Sequence, residues 1–283
     1  MTESEAASSA KAGQEGRSNL LLRIAASLVL APFAIASAYV GGWLWTTLVT
    51  AATIGLYVEW LAVIGARTPR LVVVGSVILL GMGWVDAGHM TAAYVGAVVV
   101  AGILAVAVVA PDRRFWAVIG ILYALAASIA STAIRLDPVS GFAALMLVLL
   151  VVWATDIGGY FAGRLVGGPK LWPRVSPKKT WAGAIGSFAA SLGVAIGFVA
   201  LDFGKAIPML ALGAALSVAS QLGDLFESAV KRRFGVKDSS HIIPGHGGLM
   251  DRLDGFVAAV VLAALFGFLR GGADGIGRGL MVW

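Results

Sequence analysis

An all-α, polytopic integral membrane protein is the fold class this sequence predicts, and three observations predict it. Hydrophobic residues make up 59% of the chain and charged residues 13%, against about a quarter charged in ordinary globular domains. The apolar residues gather into nine runs of Leu, Val, Ala and Ile, each long enough to cross about 30 Å of hydrocarbon as a helix and lacking the alternation of barrel strands. Lys and Arg concentrate in alternate connections between those runs, the asymmetry that orients membrane helices.

Residues 1–17 are polar and rich in Ser, Ala, Gly and Glu, too poor in apolar surface to fold alone, and are expected as a disordered cytoplasmic tail. The nine spans follow at about 22–40, 43–64, 71–88, 91–110, 115–134, 139–163, 181–201, 204–226 and 253–270. Ala36-Ser37-Ala38 resembles a signal-peptidase site, but more membrane segments follow at once and cleavage is not expected. Seventeen of the 21 Lys and Arg lie on one side: the tail and first-span start, 65–70, Arg113 and Arg114, 164–180, and 227–252. That side is expected in the cytoplasm, with the N-terminus inside. One transmembrane domain is therefore expected over 18–270, with its chemistry at about 150–260, followed by a flexible tail over 271–283. The glycines of that tail resemble a nucleotide loop only superficially, since no strand precedes them.

Cysteine is absent, so any metal must be held by oxygen or imidazole. The net charge of +6 is accounted for by topology and by anionic lipid or phosphate, and calls for no nucleic-acid partner. Glu59 is placed within the second span, about five residues from its cytoplasmic end, where it either lines a cavity or reaches the interface; the interface is the expectation. The Trp residues, among them Trp43, Trp45, Trp60, Trp84, Trp116 and Trp181, are expected as interfacial anchors.

Two cationic segments carry the polar chemistry. In the first, Asp156 stands near the end of a span beside Gly158-Gly159, where topology requires no acid. Ser176-Pro177 reads as a helix start, Ser as cap and Pro as first helical residue, offering free N–H groups beside Lys178 and Lys179 to a phosphate. In the second, Asp224, Ser228 and Lys231 recur at i, i+4 and i+7 and share one helical face. Asp251 and Asp254, three apart, share a face at the head of the last span. Two or three such carboxylates with substrate oxygens form a plausible shell for a hard cation such as Mg²⁺. Between them, Pro244-Gly-His-Gly-Gly248 is a backbone able to approach a ligand closely. Zinc is disfavoured by three His and no Cys, which leaves His246 a phosphate hydrogen bond or a structural role.

The run Ser228, Lys231-Arg232, Lys237-Asp238, Pro244-Gly-His-Gly-Gly248, Asp251-Arg252-Leu-Asp254 resembles the signature of the phosphatidate cytidylyltransferases, the CDP-diacylglycerol synthases. Asp156, Tyr160, Gly163-Arg164 and Ser176-Pro-Lys-Lys-Thr-Trp181 resemble that family's other cytoplasmic block, with Ala182 where the family often carries Glu or Gln. The resemblance implies transfer of a cytidylyl group from CTP to phosphatidate in the cell's inner (cytoplasmic) membrane, with Mg²⁺ as cofactor. It further implies Asp224 and Asp251 as metal ligands, with Asp254 as a third ligand or supporting partner. Lys178, Lys179, Lys231, Arg232, Lys237 and Arg252 are then expected at phosphates, with Asp156 orienting one of them and Ser228, His246, Gly247 and Gly248 near substrate. A CTP-dependent polyprenol or phytol-type kinase and a cation-coupled transporter are the alternatives in other classes. The oligomeric state stays open, a homodimer included.

Overall fold

The computed structural model describes residues 28–86, 91–240 and 247–283. A short apolar helix, α1 (Leu28–Val40), leads into α2 (Gly42–Val63), α3 (Pro69–Asp86), α4 (Ala92–Val109), α5 (Arg114–Leu136) and α6 (Gly141–Leu165). A two-stranded hairpin, β1 (Lys170–Trp172) and β2 (Ser176–Thr180), then precedes α7 (Trp181–Ala200), α8 (Ala206–Arg233), α9 (Met250–Gly271) and the short α10 (Ile276–Met281). Eight of these helices, α2 to α9, are long and apolar enough to cross a membrane. They coincide with eight of the expected spans; the described part of the first span is α1.

The spans form because uninterrupted apolar helices satisfy their own backbone where no water can. Their cores fall into two connected clusters. One joins α2 to α5, with Val230 of α8 and Met250 and Val257 of α9, around Leu56, Trp60, Ile64, Leu79, Ile121 and Leu125; the other joins α5 to α10, with Ala38 of α1 and Trp45 and Val49 of α2, around Ile134, Leu145, Val148, Met209, Leu216 and Val260. Val100, Leu104 and Val108 of α4 remain exposed, as a lipid-facing helix requires.

Small residues set the closest helix contacts. On α6 and α7, a side chain at Gly158 would come 2.7 Å from the carbonyl oxygen of Gly186, and one at Gly183 would come 3.0 Å from that of Gly159. On α8 and α9, a side chain at Gly223 would lie 2.5 Å from the carbonyl of Asp254, and one at Gly255 would lie 2.5 Å from Ser220 Oγ. Backbones at such distances pack by van der Waals contact, which drives association where lipid removes the hydrophobic term.

Three departures from the sequence reading have physical causes. Ser176-Pro177 does not start a helix: it opens β2, paired antiparallel with β1 through Trp172 opposite Ser176 and Lys170 opposite Thr180. A two-stranded hairpin leaves one edge of each strand free, so Pro177 costs no ladder bond there. The helix starts four residues later, where Thr180 Oγ1 accepts from Gly183 N at 3.1 Å. Residues 271–283 are not a loose tail: Ile276, Leu280 and Met281 are buried, and the Arg278 backbone N–H donates to Asp137 Oδ2 at 2.8 Å. Trp45 and Trp60 are core residues rather than interfacial anchors, with Trp60 Nε1 donating to the Trp116 carbonyl at 2.8 Å.

Candidate active site

α8 has 28 residues, about 42 Å at 1.5 Å per residue, and so outruns the hydrocarbon by two turns or more. Its last turns, with Lys231, Arg232 and Arg233 at the C-terminal dipole end, are stabilised outside the apolar zone. Asp224 sits about 27 Å from the helix start by the same rise, near the cationic end of the bundle. The α8–α9 crossing at Gly223 and Gly255 brings Asp224 and Glu227 of α8 against Asp251 and Asp254 of α9. Asp254 lies within electrostatic reach of Asp224, Glu227 and Asp156. Asp156, brought in by the α6–α7 crossing, feels Asp224, Lys179 and Arg252.

A cavity of about 400 Å³ opens between α6, the hairpin, α7 and α8. Arg164, Lys178 and Lys179 supply its positive charge, Asp156 and Asp224 its negative charge, and Thr155, Ser187, Ser220 and Gln221 its uncharged polar groups. Ser187 Oγ donates to the Thr155 carbonyl at 2.7 Å, Thr155 Oγ1 to Ser217 Oγ at 3.0 Å, and Arg164 to Tyr160 Oη at 2.8 Å. These bonds fix the polar lining, while Lys179 closes one side by pairing with Asp224.

Beside the cavity, Lys231 is buried between Glu227 Oε2 at 2.8 Å and Asp251 Oδ1 at 2.5 Å. The other Asp251 oxygen accepts from Gly248 N at 3.0 Å, Ser239 N at 3.2 Å and Ser239 Oγ at 2.9 Å. Glu59, expected at the interface, is instead 1% exposed. It accepts from Ser239 Oγ, Ser240 Oγ, Leu249 N and Met250 N at 2.9, 2.5, 2.9 and 2.7 Å. A helix that lacks a local capping side chain thus receives its cap from α2, an arrangement that satisfies N–H groups otherwise left unpaired.

Of the residues singled out by sequence, Asp156, Lys178, Lys179 and Asp224 line the cavity together. Ser228 Oγ donates to Asp224 Oδ1 at 3.4 Å. Arg232 and Lys237 are exposed and are absent from the lining, and Lys231 is engaged by carboxylates rather than free for phosphate. Gly247 has φ +82° and Gly248 is packed so that a side chain would come 2.6 Å from Glu59 Oε2, which accounts for both glycines. His246 lies outside the described residues. Sequence reasoning put Glu59 at the interface and missed Ser239 and Glu227. Glu227 was readable, standing three residues after Asp224 and four before Lys231; Glu59 was visible as an acid inside a span, but nothing local shows its partners.

The expected convergence of Asp224, Asp251 and Asp254 on one ion is not displayed: among the described residues, no group of three or more carboxylate or imidazole side chains is gathered as a metal-holding cluster. Asp224 and Asp251 are instead each drawn to a lysine. The donor set nevertheless suits a hard cation. Asp156, Asp224, Glu227, Asp251 and Asp254 supply carboxylate oxygens from three helices, and Glu227 Oε1 is buried without a hydrogen-bond partner. A buried carboxylate oxygen left without a donor is a place a hard cation could fill.

Residues 21–269 match the model of the cytidylyltransferase family. The chain belongs to that family. A phosphatidate cytidylyltransferase of Brucella suis is 38% identical over 262 residues, covering 88% of this chain and 94% of the relative. The enzymes of that name from Haemophilus influenzae and Staphylococcus saprophyticus are 44% identical over 138 residues and 48% identical over 120 residues. These two matches cover 47% and 42% of this chain, and 48% and 46% of the relatives. Family membership spans the early helices as well as the α6–α9 region from which the site is built.

Proposed function

We propose that this chain transfers a cytidylyl group from CTP to phosphatidate, giving CDP-diacylglycerol and pyrophosphate, at the cytoplasmic face of the inner membrane. One observation carries the reading: a cavity of about 400 Å³ at the cationic end of a membrane bundle, with Arg164, Lys178 and Lys179 set against Asp156 and Asp224. The Brucella suis relative bears the corresponding name.

The reaction needs little covalent help from the protein. A phosphatidate oxygen, already anionic at neutral pH, attacks the α-phosphorus of CTP. One P–O bond forms as the bond to the bridging oxygen of the β-phosphate breaks, and pyrophosphate departs with the electron pair. The protein's task is to hold two polyanions in line and offset their charge. Lys178, Lys179 and Arg164 bind phosphate oxygens, and the close α6–α7 crossing keeps Asp156 beside Lys179. Asp224 and Asp251, with Asp254 as a third group, would hold Mg²⁺, which when bound offsets charge on the leaving pyrophosphate.

Purified protein given CTP labelled at the α-phosphate, together with phosphatidate and Mg²⁺, should move label into lipid and release pyrophosphate, and a chelator should stop both. Label entering lipid only from the γ-phosphate would indicate a kinase and overturn the reading. Cation flux in liposomes without nucleotide consumption would indicate a transporter and overturn it equally.

A further inference from the structure

We propose that Glu59 is a positioning residue of this active site, aiming Asp251 through the single hydroxyl of Ser239. The inference deepens the reading above and rests on it for the role of Asp251. Glu59 belongs to α2, outside the segment that carries the motif residues, yet it holds both flanks of residues 241–246. Ser239 and Ser240 on one side, and Leu249 and Met250 on the other, all donate to its two oxygens.

Each oxygen meets two donors. Oε1 receives Ser240 Oγ and Leu249 N; Oε2 receives Ser239 Oγ and Met250 N. A glutamine here cannot be satisfied, because either orientation of its amide sets an NH₂ group against a backbone N–H. The site therefore requires a carboxylate rather than merely a polar side chain. The charge is balanced by these donors and by the positive end of α9.

Ser239 Oγ lies 2.9 Å from Glu59 Oε2 and 2.9 Å from Asp251 Oδ2. It carries one proton for two carboxylates, so the two acids share a donor. The same Asp251 oxygen is held by Ser239 N and Gly248 N, one from each flank that Glu59 grips. The Asp251 carboxylate thus takes its direction from backbone that Glu59 keeps in place. Gly248 is required for this closeness, since a side chain there would press within 3.0 Å of Ser240 N. The arrangement matches the general pattern in which partners behind a ligating carboxylate set its orientation.

The test uses the full chain in detergent, as wild type, Glu59→Gln and Ser239→Ala. Mn²⁺ binding is read by electron paramagnetic resonance without substrates, alongside thermal unfolding and steady-state cytidylyl transfer. Glu59→Gln should weaken Mn²⁺ binding by about tenfold or more at unchanged stoichiometry. It should lower kcat by a similar factor with the KM for CTP little altered. Ser239→Ala leaves three donors on Glu59 and should melt close to wild type while still weakening Mn²⁺ binding by about threefold or more. A purely structural role would lower the bound stoichiometry or the melting temperature without changing the dissociation constant.

Variants that fold and bind Mn²⁺ with wild-type affinity overturn the inference, as does a wild type that binds no Mn²⁺. If Glu59→Gln fails to fold, Ser239→Ala decides alone. Should wild type bind Mn²⁺ yet transfer no label from CTP, the assigned reaction fails, and the Mn²⁺ affinities of the variants still judge the role of Glu59.

Discussion

Replacing Gly223 by Ala tests whether the α8–α9 crossing sets the active-site geometry. The new methyl would stand 2.5 Å from the Asp254 carbonyl and 2.7 Å from Ala258 Cβ, whereas ordinary contact begins at 3.4 Å. The helices must therefore separate locally by about 0.9 Å, from 2.5 to 3.4 Å, and the obstacle is backbone rather than a flexible side chain. Overpacking of this kind costs about 1–3 kcal/mol, offset by roughly 1 kcal/mol of improved helix propensity, so the net loss of stability is about 0–2 kcal/mol. The larger effect falls on turnover. The substituted residue neighbours Asp224 and its obstacle is the backbone of Asp254, and a displacement near 1 Å at reacting groups costs about a hundredfold in rate. Gly193→Ala on α7, where nothing lies within 4 Å of the new methyl, is the matched control and should be neutral or slightly stabilising. Cytidylyl transfer and thermal unfolding in detergent are measured for both. Wild-type turnover by Gly223→Ala would refute the claim that this crossing positions the acids.

Lys231→Met leaves Glu227 and Asp251 facing each other without their shared ammonium, and should destabilise the fold by about 3–5 kcal/mol; an unchanged melting curve would contradict the burial of this triad. Asp224→Asn should abolish transfer while leaving the protein in the membrane at normal abundance, as measured with α-labelled CTP and immunoblotting; near-normal transfer would remove Asp224 from the site. Asp137 anchors α10 and has its pKa lowered: burial alone would raise it, but hydrogen bonds from Ser140 N, Arg278 N, Val139 N and the Arg278 side chain outweigh that. Because the folded-state value lies below the ordinary carboxylate value of about 3.9, this stabilisation is present above that pH and is lost as pH falls through the lowered folded value. Asp137→Asn should lower stability near neutrality by about 1–3 kcal/mol and flatten the acid limb of the unfolding profile; an acid limb identical to wild type would remove Asp137 as its source.

Most of the membrane fold was readable because long apolar helices announce themselves by length and composition, and eight described spans fall where hydropathy puts them. What hydropathy could not see were elements stabilised by particular partners. The last two turns of α8 are polar and persist through Lys231 and its carboxylates. The hairpin replaced an expected helix start because β1 offers Ser176 a partner, which leaves Thr180 to cap the helix four residues later. α10 looked like a glycine-rich tail because its anchor, Asp137, lies 141 residues earlier. The cavity acids and lysines were legible from spacing, as period-3.6 faces and as charges where topology asks for none. The partners of Glu59 were not, since its four donors come from residues 180 to 191 positions downstream.

That long reach bears on modularity. A four-helix fragment cut from α6 to α9 would retain the motif residues that resemble the family signature, but it would leave behind the carboxylate that caps its final helix and holds Ser239 and Ser240. Grafting the signature onto another bundle would therefore carry over the motif residues without the buried carboxylate that holds them, so a working transplant would have to bring α2 with it.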